Sequence, residues 1–302
     1  MILLRNRWGM WLRAQGIASA SEPETVAYMN FMGIADDATV YYPTTPQQIT
    51  GSQLWSGVNN YVLALKAVNI AGPNWTNAGT ATCIVVRDNL FIGGTALRHS
   101  YNLADPTKNL TFFGSWVHDA LGIRGNGANT YANDGIRNTD LASLVALYHG
   151  FTVLDGGSGA GGGMWLGGAR IPGVQEFSHL RINTNLYGCP NTIIASIGIY
   201  SGSLAVNHSG DFAQQRNTAI IGSNNTTQYI NGAPALSGFF NNVPQALNMD
   251  IYVGGLNQNG TLVNPFLGDI RHAFIANELT LAQHNAWFAA RNALQTALNR
   301  VP

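Results

Sequence analysis

The stretch FLGDIRHAFIANELTLAQHNAWFAARN, residues 266–292, changes its pattern partway along its length. Its first half is a compact apolar run typical of a β-strand, and its second half has the spacing of an amphipathic helix. Thr280 is a suitable N-cap for that helix. The apolar residues that follow form one stripe: Leu281, Trp287, Phe288, Leu294 and Leu298. The chain is therefore expected to finish with a strand and then a helix that lies on a sheet or on another helix.

A second helix is expected between residues 46 and 68. Thr45 is a candidate N-cap and Pro46 suits the first helical position. Gly72 and Pro73 then interrupt the pattern, so the helix should end before them. The apolar positions at helical spacing are Ile49, Leu54, Val58, Tyr61, Val62, Leu65 and Val68. This helix is expected to pair with the C-terminal helix.

The first sixteen residues also carry an apolar stripe, with arginines between its members. The stripe consists of Leu4, Trp8, Trp11 and Leu12. Such a helix packs on its own protein, inserts into a partner protein or lies on a membrane surface, and periodicity alone does not separate these alternatives. No stretch of the sequence approaches eighteen consecutive apolar residues, so no membrane span is expected.

From about Ala78 onward the pattern changes to a dozen short apolar runs separated by Gly, Asn, Asp or Pro. These runs are rich in β-branched and aromatic residues and have no helical pattern between them, which predicts a mainly β sandwich or barrel. Two of them are LFIGG and TQYING. The low-complexity segment DGGSGAGGG, residues 155–163, lacks the ending of a phosphate-binding loop and is interpreted as a hairpin tip or a close backbone approach.

Charge and cysteine content exclude several classes of protein. Of 302 residues only 10% are charged, and the formal net charge is zero. A general nucleic-acid binder carries a basic surface, so no nucleic-acid partner is expected. Cys83 and Cys189 are spaced like neither a zinc site nor a redox pair. Two buried free thiols are the first interpretation, and a single disulfide is the alternative.

Residues able to support catalysis are scarce. A glycoside hydrolase needs two carboxylates that face one cleft. The chain has only four glutamates to supply them: Glu22, Glu24, Glu176 and Glu278. Glu176 is the candidate worth testing, paired with Asp155 or Asp211. The expectation is that the protein is not an enzyme and has no catalytic residues.

Metal and cofactor sites are not expected either. The seven histidines are scattered, and His272 is interpreted as a hydrogen-bonded sheet residue. Asp105, Asp119 and Asp134 lie in predicted loops, without the spacing of a calcium cage.

Aromatic residues near Asn-rich loops are the candidates for a binding site. Sugars stack on aromatic rings while their hydroxyls need hydrogen-bond partners. The candidate glycan-binding residues are Trp116, Tyr131, Trp165 and Tyr187. The alternative is that each is an ordinary core residue between two sheets.

Three consecutive pieces, TQYINGAP, MDIYVGGLNQNG and the stretch at 266–292, resemble the closing half of laminin-G-like, concanavalin A-like jelly rolls. In that family a last strand returns to the first sheet and a helix covers the sandwich. In addition, VYYPTTPQQITGSQLW, TALRHSYNLADP and LTFFGSWVHDALGIRGNGANTYAN are similar, in this order, to bacteriophage virion proteins that carry a laminin-G-like domain. This resemblance covers roughly residues 40 to 300.

The resemblance implies a laminin-G-like jelly-roll sandwich with its closing helix over residues 73–302, preceded by an N-terminal helical assembly or anchor segment at 1–72. It implies a non-enzymatic virion protein, such as a capsid decoration, tail fibre or tail-associated component, without a cofactor. Other virion proteins are the expected partners, and a homo-oligomer, by analogy a trimer, is expected. The location would be the particle surface after synthesis in the host cytoplasm.

Two alternatives remain at this point. One is a lectin-like module that binds host surface glycans. The other is a polysaccharide depolymerase that uses Glu176.

Overall fold

The structure is a computed structural model. It describes residues 21–41, 48–140, 147–156, 164–170, 179–183, 192–197, 200–205, 210–217, 224–230, 232–240, 248–263, 265–277 and 279–300. Within these ranges, it describes the backbone alone at 138, 147–149, 153–230 and 234–240.

The chain is largely β with several helices. The helices are α1 (Pro23–Met32), α2 (Gly51–Lys66), α3 (Ala96–Ser100) and α4 (Leu281–Ala297). The strands are β1 (Val40–Tyr41), β2 (Ile49–Thr50), β3 (Ile70–Ala71), β4 (Cys83–Asn89), β5 (Thr111–Phe113), β6 (Val117–Asp119), β7 (Gly122–Asn126), β8 (Tyr131–Asn133), β9 (Leu147–Gly156), β10 (Met164–Arg170), β11 (His179–Asn183), β12 (Thr192–Ile197), β13 (Tyr200–Ala205), β14 (Gly210–Asn217), β15 (Asn224–Ile230), β16 (Ala233–Phe240), β17 (Tyr252–Val253), β18 (Leu256–Gln258), β19 (Thr261–Val263) and β20 (Leu267–Asn277).

The described strands form two large sheets and the small pair β1–β2. The first large sheet runs β16-β15-β14-β9-β20-β4-β3, with β7 paired to β20 and β6 paired to β7. The second runs β13-β12-β11-β10-β17-β8-β5, with β18 paired to β10 and to β19. Most neighbours are antiparallel, whereas β3 pairs with β4, and β18 with β10, in parallel.

The two large sheets pack face to face around one apolar core. From the first sheet this core takes Ile123, Phe151 and Ile270, and from the second it takes Ala132 and Val253. All five are fully buried. Alternate residues of a strand point to opposite faces, so each sheet buries one row of side chains against the other. The chain is therefore a β-sandwich.

A second core lies between the first sheet and the helices. Val58 and Leu65 of α2, Phe274 of β20, and Trp287 and Leu294 of α4 are all buried in it. The predicted pairing of the two amphipathic helices is present, because α2 and α4 pack side by side. Trp287 also contacts the Phe274 ring at a centroid distance of 5.1 Å, so α4 lies on both the sheet and the other helix.

The start of α4 follows the prediction. The Thr280 hydroxyl accepts a hydrogen bond from the Gln283 backbone N–H, and the Gln283 side chain accepts one from the Thr280 N–H. This capping box satisfies backbone donors that would otherwise lack partners. The Gln283 amide also donates to the Val68 carbonyl and to the Thr82 hydroxyl, which attaches α4 to the end of α2 and the start of β4. Leu281 departs from the predicted stripe, since it lies on the solvent side and is 61% exposed.

The start of α2 differs from the prediction. Thr50, not Thr45, is the N-cap, and its hydroxyl makes a capping box with Gln53. Thr45 lies outside the described residues. Ile49 belongs to β2, where it pairs with Tyr41. The helix therefore starts at the capping box that Thr50 and Gln53 form.

One predicted strand and one predicted hairpin are corrected. LFIGG is not a strand: Leu90, Phe91 and Ile92 form a buried connection after β4, and Gly93 has a left-handed φ of 108°. This backbone conformation ends the extended run, and glycine is required there because a side chain at position 93 would collide with Arg98 and Met32. β9 and β10 flank the glycine-rich segment and belong to different sheets, so they do not form the predicted hairpin. The alternative of a close backbone approach concerns residues 157–163, which lie outside the described residues.

The sequence reasoning missed α1. Its local signals are present, because Pro23 occupies the first helical turn and Gly33 ends the helix in a left-handed conformation. Lys66 of α2 holds this helix through ion pairs to Glu22 (2.7 Å) and Glu24 (2.6 Å). The assignment of residues 1–72 to a separate assembly segment stays a prediction. Within it, α1 and α2 share their apolar core with β4, β20 and α4.

Candidate functional site

The outward face of the second sheet carries aromatic residues on three neighbouring strands. Register pairs Phe112 with Ala132, and Ala132 with Val253, on the inner face. Because side chains alternate along a strand, Phe113, Tyr131 and Tyr252 lie on the opposite, outer face. Phe113 and Tyr131 are also a direct cross-strand pair.

These three rings form a stack across the strands, called here the aromatic ladder. The Phe113 and Tyr131 rings are nearly parallel, at 7°, with centroids 4.6 Å apart. The Tyr131 and Tyr252 rings lie 4.4 Å apart at 28°. Tyr131 is thus enclosed on both faces, whereas the second face of Phe113 points away from Tyr131, towards the edge of the sheet beyond β5. Phe113 is 40% exposed.

A group of polar side chains lies beside the ladder, called here the polar end. Asn133 follows Tyr131 by two residues on the same strand face, and its side-chain amide donates to Asp250 at 2.7 Å. The Arg137 Nε donates to the other Asp250 oxygen at 2.9 Å, and another guanidinium N–H donates to Asn248 at 2.9 Å. Carboxylate, amide and guanidinium groups therefore lie next to the aromatic ladder.

The surroundings of Tyr252 raise the pKa of its hydroxyl. Burial of the hydroxyl raises the pKa above its ordinary value of 10.0, and the neighbouring Tyr131 and Asp250 raise it further. Negative charge on either neighbour disfavours a tyrosinate at this position. Tyr252 therefore stays a neutral hydrogen-bonding group at physiological pH.

A buried ion pair supports the outer face from within the sandwich. Arg87 of β4 donates through Nε and a terminal nitrogen to the two Asp134 oxygens, at 2.7 and 2.5 Å. The same terminal nitrogen donates to the Ile251 carbonyl at 2.6 Å. Both charged side chains have no exposed area. Asp134 follows Asn133, and Ile251 precedes Tyr252, so this contact joins the first sheet to the strands that carry the ladder.

Of the four residues predicted to bind glycans, the structure places Tyr131 in the ladder. Trp116 is partly buried against the inter-sheet core, where its Nε1 donates to the Tyr131 carbonyl at 3.1 Å. Its ring rests on Gly254, whose left-handed φ of 74° and missing side chain make room for it. Trp165 lies on β10, of which the backbone alone is described, and Tyr187 lies outside the described residues.

Sequence reasoning missed Phe113 and Tyr252 as members of the site. Both lie in segments predicted to be strands, and each alternates with a neighbour that points inward. The pattern identifies two faces but does not say which strands become neighbours. The residues predicted for assembly, Leu4, Trp8, Trp11 and Leu12, lie outside the described residues.

Of the four glutamates, two lie within the described residues. Among the glutamates, Glu22 and Glu24 are bound by Lys66, while Glu176 and Glu278 lie outside the described residues. His272 is a buried sheet residue as expected, with its Nε2 2.7 Å from Asp88. Burial raises the Asp88 pKa, an effect that His272 opposes.

His99 and His118 form a pair near the helix α3, with their Nδ1 atoms 3.0 Å apart. The Gly94 N–H donates to the His99 Nε2, so the His99 Nδ1 carries the proton and donates to His118. Burial lowers the pKa of His99 well below 6.5 and lowers that of His118 as well. The pair is therefore neutral and hydrogen-bonded at physiological pH.

The three aspartates considered for calcium lie apart and accept hydrogen bonds from the protein. Asp105 accepts from Asn74 and Thr107, Asp119 accepts from two backbone N–H groups, and Asp134 accepts from Arg87. In the part of the chain that the structure describes, no three His, Cys, Asp or Glu side chains are grouped to hold a metal ion.

Cys83 is a buried free thiol, and burial raises its pKa to about 12. Cys189 lies outside the described residues, so the state predicted for it stays a prediction. Among the described residues, no helix combines the length and apolar character needed to cross a membrane.

No protein-family model matches the chain, and no curated protein matches it. Solved structures do. A mutant Trypanosoma rangeli sialidase displaying trans-sialidase activity matches with a TM-score of 0.52 and 14% identity, over 80% of this chain and 39% of that chain. This chain thus spans about two fifths of the sialidase's length. At this identity the match shows a shared β-sandwich fold alone.

Two further matches have lower TM-scores. Domain 4 of AbnA, a GH43 extracellular arabinanase from Geobacillus stearothermophilus solved with arabinotriose, gives 0.45 at 15% identity, over 68% of this chain and 98% of that chain. The receptor-binding domain of botulinum neurotoxin type G gives 0.46 at 12% identity, over 68% of this chain and 51% of that chain.

Proposed function

We propose that this chain is a non-catalytic carbohydrate-binding β-sandwich module whose sugar-binding site is the aromatic ladder together with the polar end. The observation that carries the proposal is the stack of Phe113, Tyr131 and Tyr252 beside Asn133 and Asp250 on an outward sheet face. A sugar presents apolar C–H faces and polar hydroxyls at the same time. It therefore needs an aromatic surface and hydrogen-bonding groups side by side.

In this proposal the three rings have different roles. Tyr131 has a ring on each face, so it supports its neighbours instead of receiving a sugar face. Phe113 offers a free ring face at the sheet edge and remains 40% exposed. We place one sugar of an oligosaccharide on that free face and a neighbouring sugar of the same chain beside Asp250.

The proposal extends to where the module works. The ordered resemblance of residues 40 to 300 to phage virion proteins supports a laminin-G-like jelly roll displayed on a particle surface, as part of a capsid decoration, tail fibre or tail-associated component. There it would bind host surface glycans and other virion proteins as a homo-oligomer. Residues 1–72, including Leu4, Trp8, Trp11 and Leu12, would contribute the assembly contacts.

A panel of immobilised neutral and acidic oligosaccharides tests the proposal. Replacing Phe113 with Ala removes the exposed stacking surface and should weaken binding by roughly 2- to 12-fold, corresponding to about 0.5–1.5 kcal/mol. Leu97→Ala is the matched control, because Leu97 is a 67% exposed apolar residue on α3. Failure of the wild-type protein to bind any oligosaccharide would refute the proposal, and so would equal losses in the two variants.

A separate assay with polysaccharides tests the absence of catalysis. Incubation with the wild-type protein should release no oligosaccharide fragments from any polysaccharide that it binds. Release of fragments that stops in Glu176→Gln would instead identify a depolymerase.

A further inference from the structure

The polar end holds a carboxylate with unused acceptor capacity. Each Asp250 oxygen accepts one hydrogen bond, Oδ1 from Arg137 and Oδ2 from Asn133. A carboxylate can accept about four hydrogen bonds, so about two positions remain for a ligand. The Asp250 side chain is 25% exposed, which leaves it accessible from the outer face.

The charges around this carboxylate occur in opposite pairs. Arg137 lies 2.9 Å from Asp250 and directs a second N–H to Asn248. Its backbone N–H donates to Asp140, which in turn lies 3.9 Å from Lys108. Among the described side chains around Asp250, each cation therefore lies near a carboxylate. The two cations, Arg137 and Lys108, balance the two carboxylates, Asp250 and Asp140.

We infer that the site binds a neutral sugar through two adjacent hydroxyls that donate to Asp250, and that it discriminates against sugars carrying a carboxylate. This inference rests on the proposed function and names its ligand class. Hydroxyl donors match the remaining Asp250 positions, and hydrogen bonds to an ionised acceptor are the stronger kind. A ligand carboxylate at neutral pH has no proton to donate there and is repelled by Asp250.

The test compares two oligosaccharides of equal length, one neutral and one containing a uronic acid, by isothermal titration calorimetry. The wild-type protein should bind the neutral oligosaccharide at least about fivefold more tightly, as expected for one like-charge contact in partly exposed surroundings. Raising the salt from about 50 to 500 mM should change neutral binding by less than about twofold, because no ion pair forms with the ligand.

Asp250→Asn should lower the affinity for the neutral oligosaccharide about tenfold, because the charged acceptor is lost while the side-chain shape remains. Asp36→Asn, an exposed aspartate before β1, is the matched control and should bind like the wild-type protein. If Asp250→Asn fails to fold, Arg137→Gln serves instead. It retains the carboxylate, so it should keep the neutral sugar and weaken the acidic one further.

The outcomes separate this inference from the proposed function. Tighter or equal binding of the acidic oligosaccharide, or unchanged neutral binding in Asp250→Asn while Phe113→Ala loses it, would overturn the inference and leave the sugar-binding site standing. Binding of neither oligosaccharide would overturn the inference, and binding of no oligosaccharide of the panel would overturn the proposed function as well.

Discussion

The buried pair between Arg87 and Asp134 gives the sharpest prediction about what holds the outer face in place. Asp134→Asn keeps the side-chain shape but removes the negative charge. Arg87 would then keep a buried positive charge with no exposed area and no counter-ion. Removing one partner of a buried ion pair costs about 3–5 kcal/mol. At about 2 °C per kcal/mol in a chain of this size, the melting temperature should fall by roughly 6–10 °C.

Chemical denaturation with urea measures this loss directly. The matched control is Lys108→Met, which breaks the ion pair between Lys108 and Asp140. The Lys108 side chain is 40% exposed and the Asp140 side chain is 42% exposed. An exposed pair contributes about 0–1 kcal/mol, so this variant should unfold close to the wild-type midpoint. The double substitution Arg87→Met with Asp134→Leu should recover most of the lost stability, because apolar replacement of a whole buried pair is often neutral.

The reasoning would be refuted if Asp134→Asn changed the free energy of unfolding by no more than the Lys108→Met control. A double variant as unstable as the single one would also contradict it. In that case the two sheets would be held together by the apolar core alone.

Three further predictions concern titration, reactivity and truncation. Burial lowers the pKa of His99 and His118 from 6.5, so the unfolded chain binds more protons below about pH 6.5. Stability should therefore fall as the pH drops through that range, and a melting temperature that stays constant between about pH 7.5 and 5.5 would contradict this. Cys83, with its pKa raised to about 12, should resist iodoacetamide in the folded protein and react after denaturation, as peptide mass spectrometry would reveal. Deleting residues 1–20 should leave a folded monomer in place of the expected oligomer, as light scattering would show. Deleting residues 1–73 also removes α1 and α2, which share the apolar core, and should unfold the chain. If the protein stays oligomeric after the shorter deletion, residues 1–20 have no assembly role.

The ending of the chain was predictable because its signals are local. Thr280 and Gln283 are three residues apart, and the stripe that includes Trp287 and Leu294 repeats at helical spacing. The same local reasoning placed the start of α2 too early, since Thr45 and Pro46 look like a helix start while the observed capping box begins at Thr50. When two nearby segments both carry helix-start signals, the sequence alone does not show at which of them the helix begins.

The candidate site was only partly predictable because it depends on pairing between distant segments. Tyr131 and Tyr252 are far apart in the chain, and they become neighbours only through the register of β8 with β17. The alternation of Phe112 and Phe113 predicts one inward and one outward ring without saying which. Trp116 shows that such a residue can also pack partly buried against the core, and its predicted role in glycan binding stays a prediction.

A crystal structure of the protein with the neutral oligosaccharide that binds best would locate the sugar-binding site. One sugar ring should lie on the free face of Phe113, and adjacent hydroxyls of a neighbouring sugar in the same chain should donate to Asp250. A sugar bound at another surface, with the aromatic ladder unchanged and empty, would contradict it.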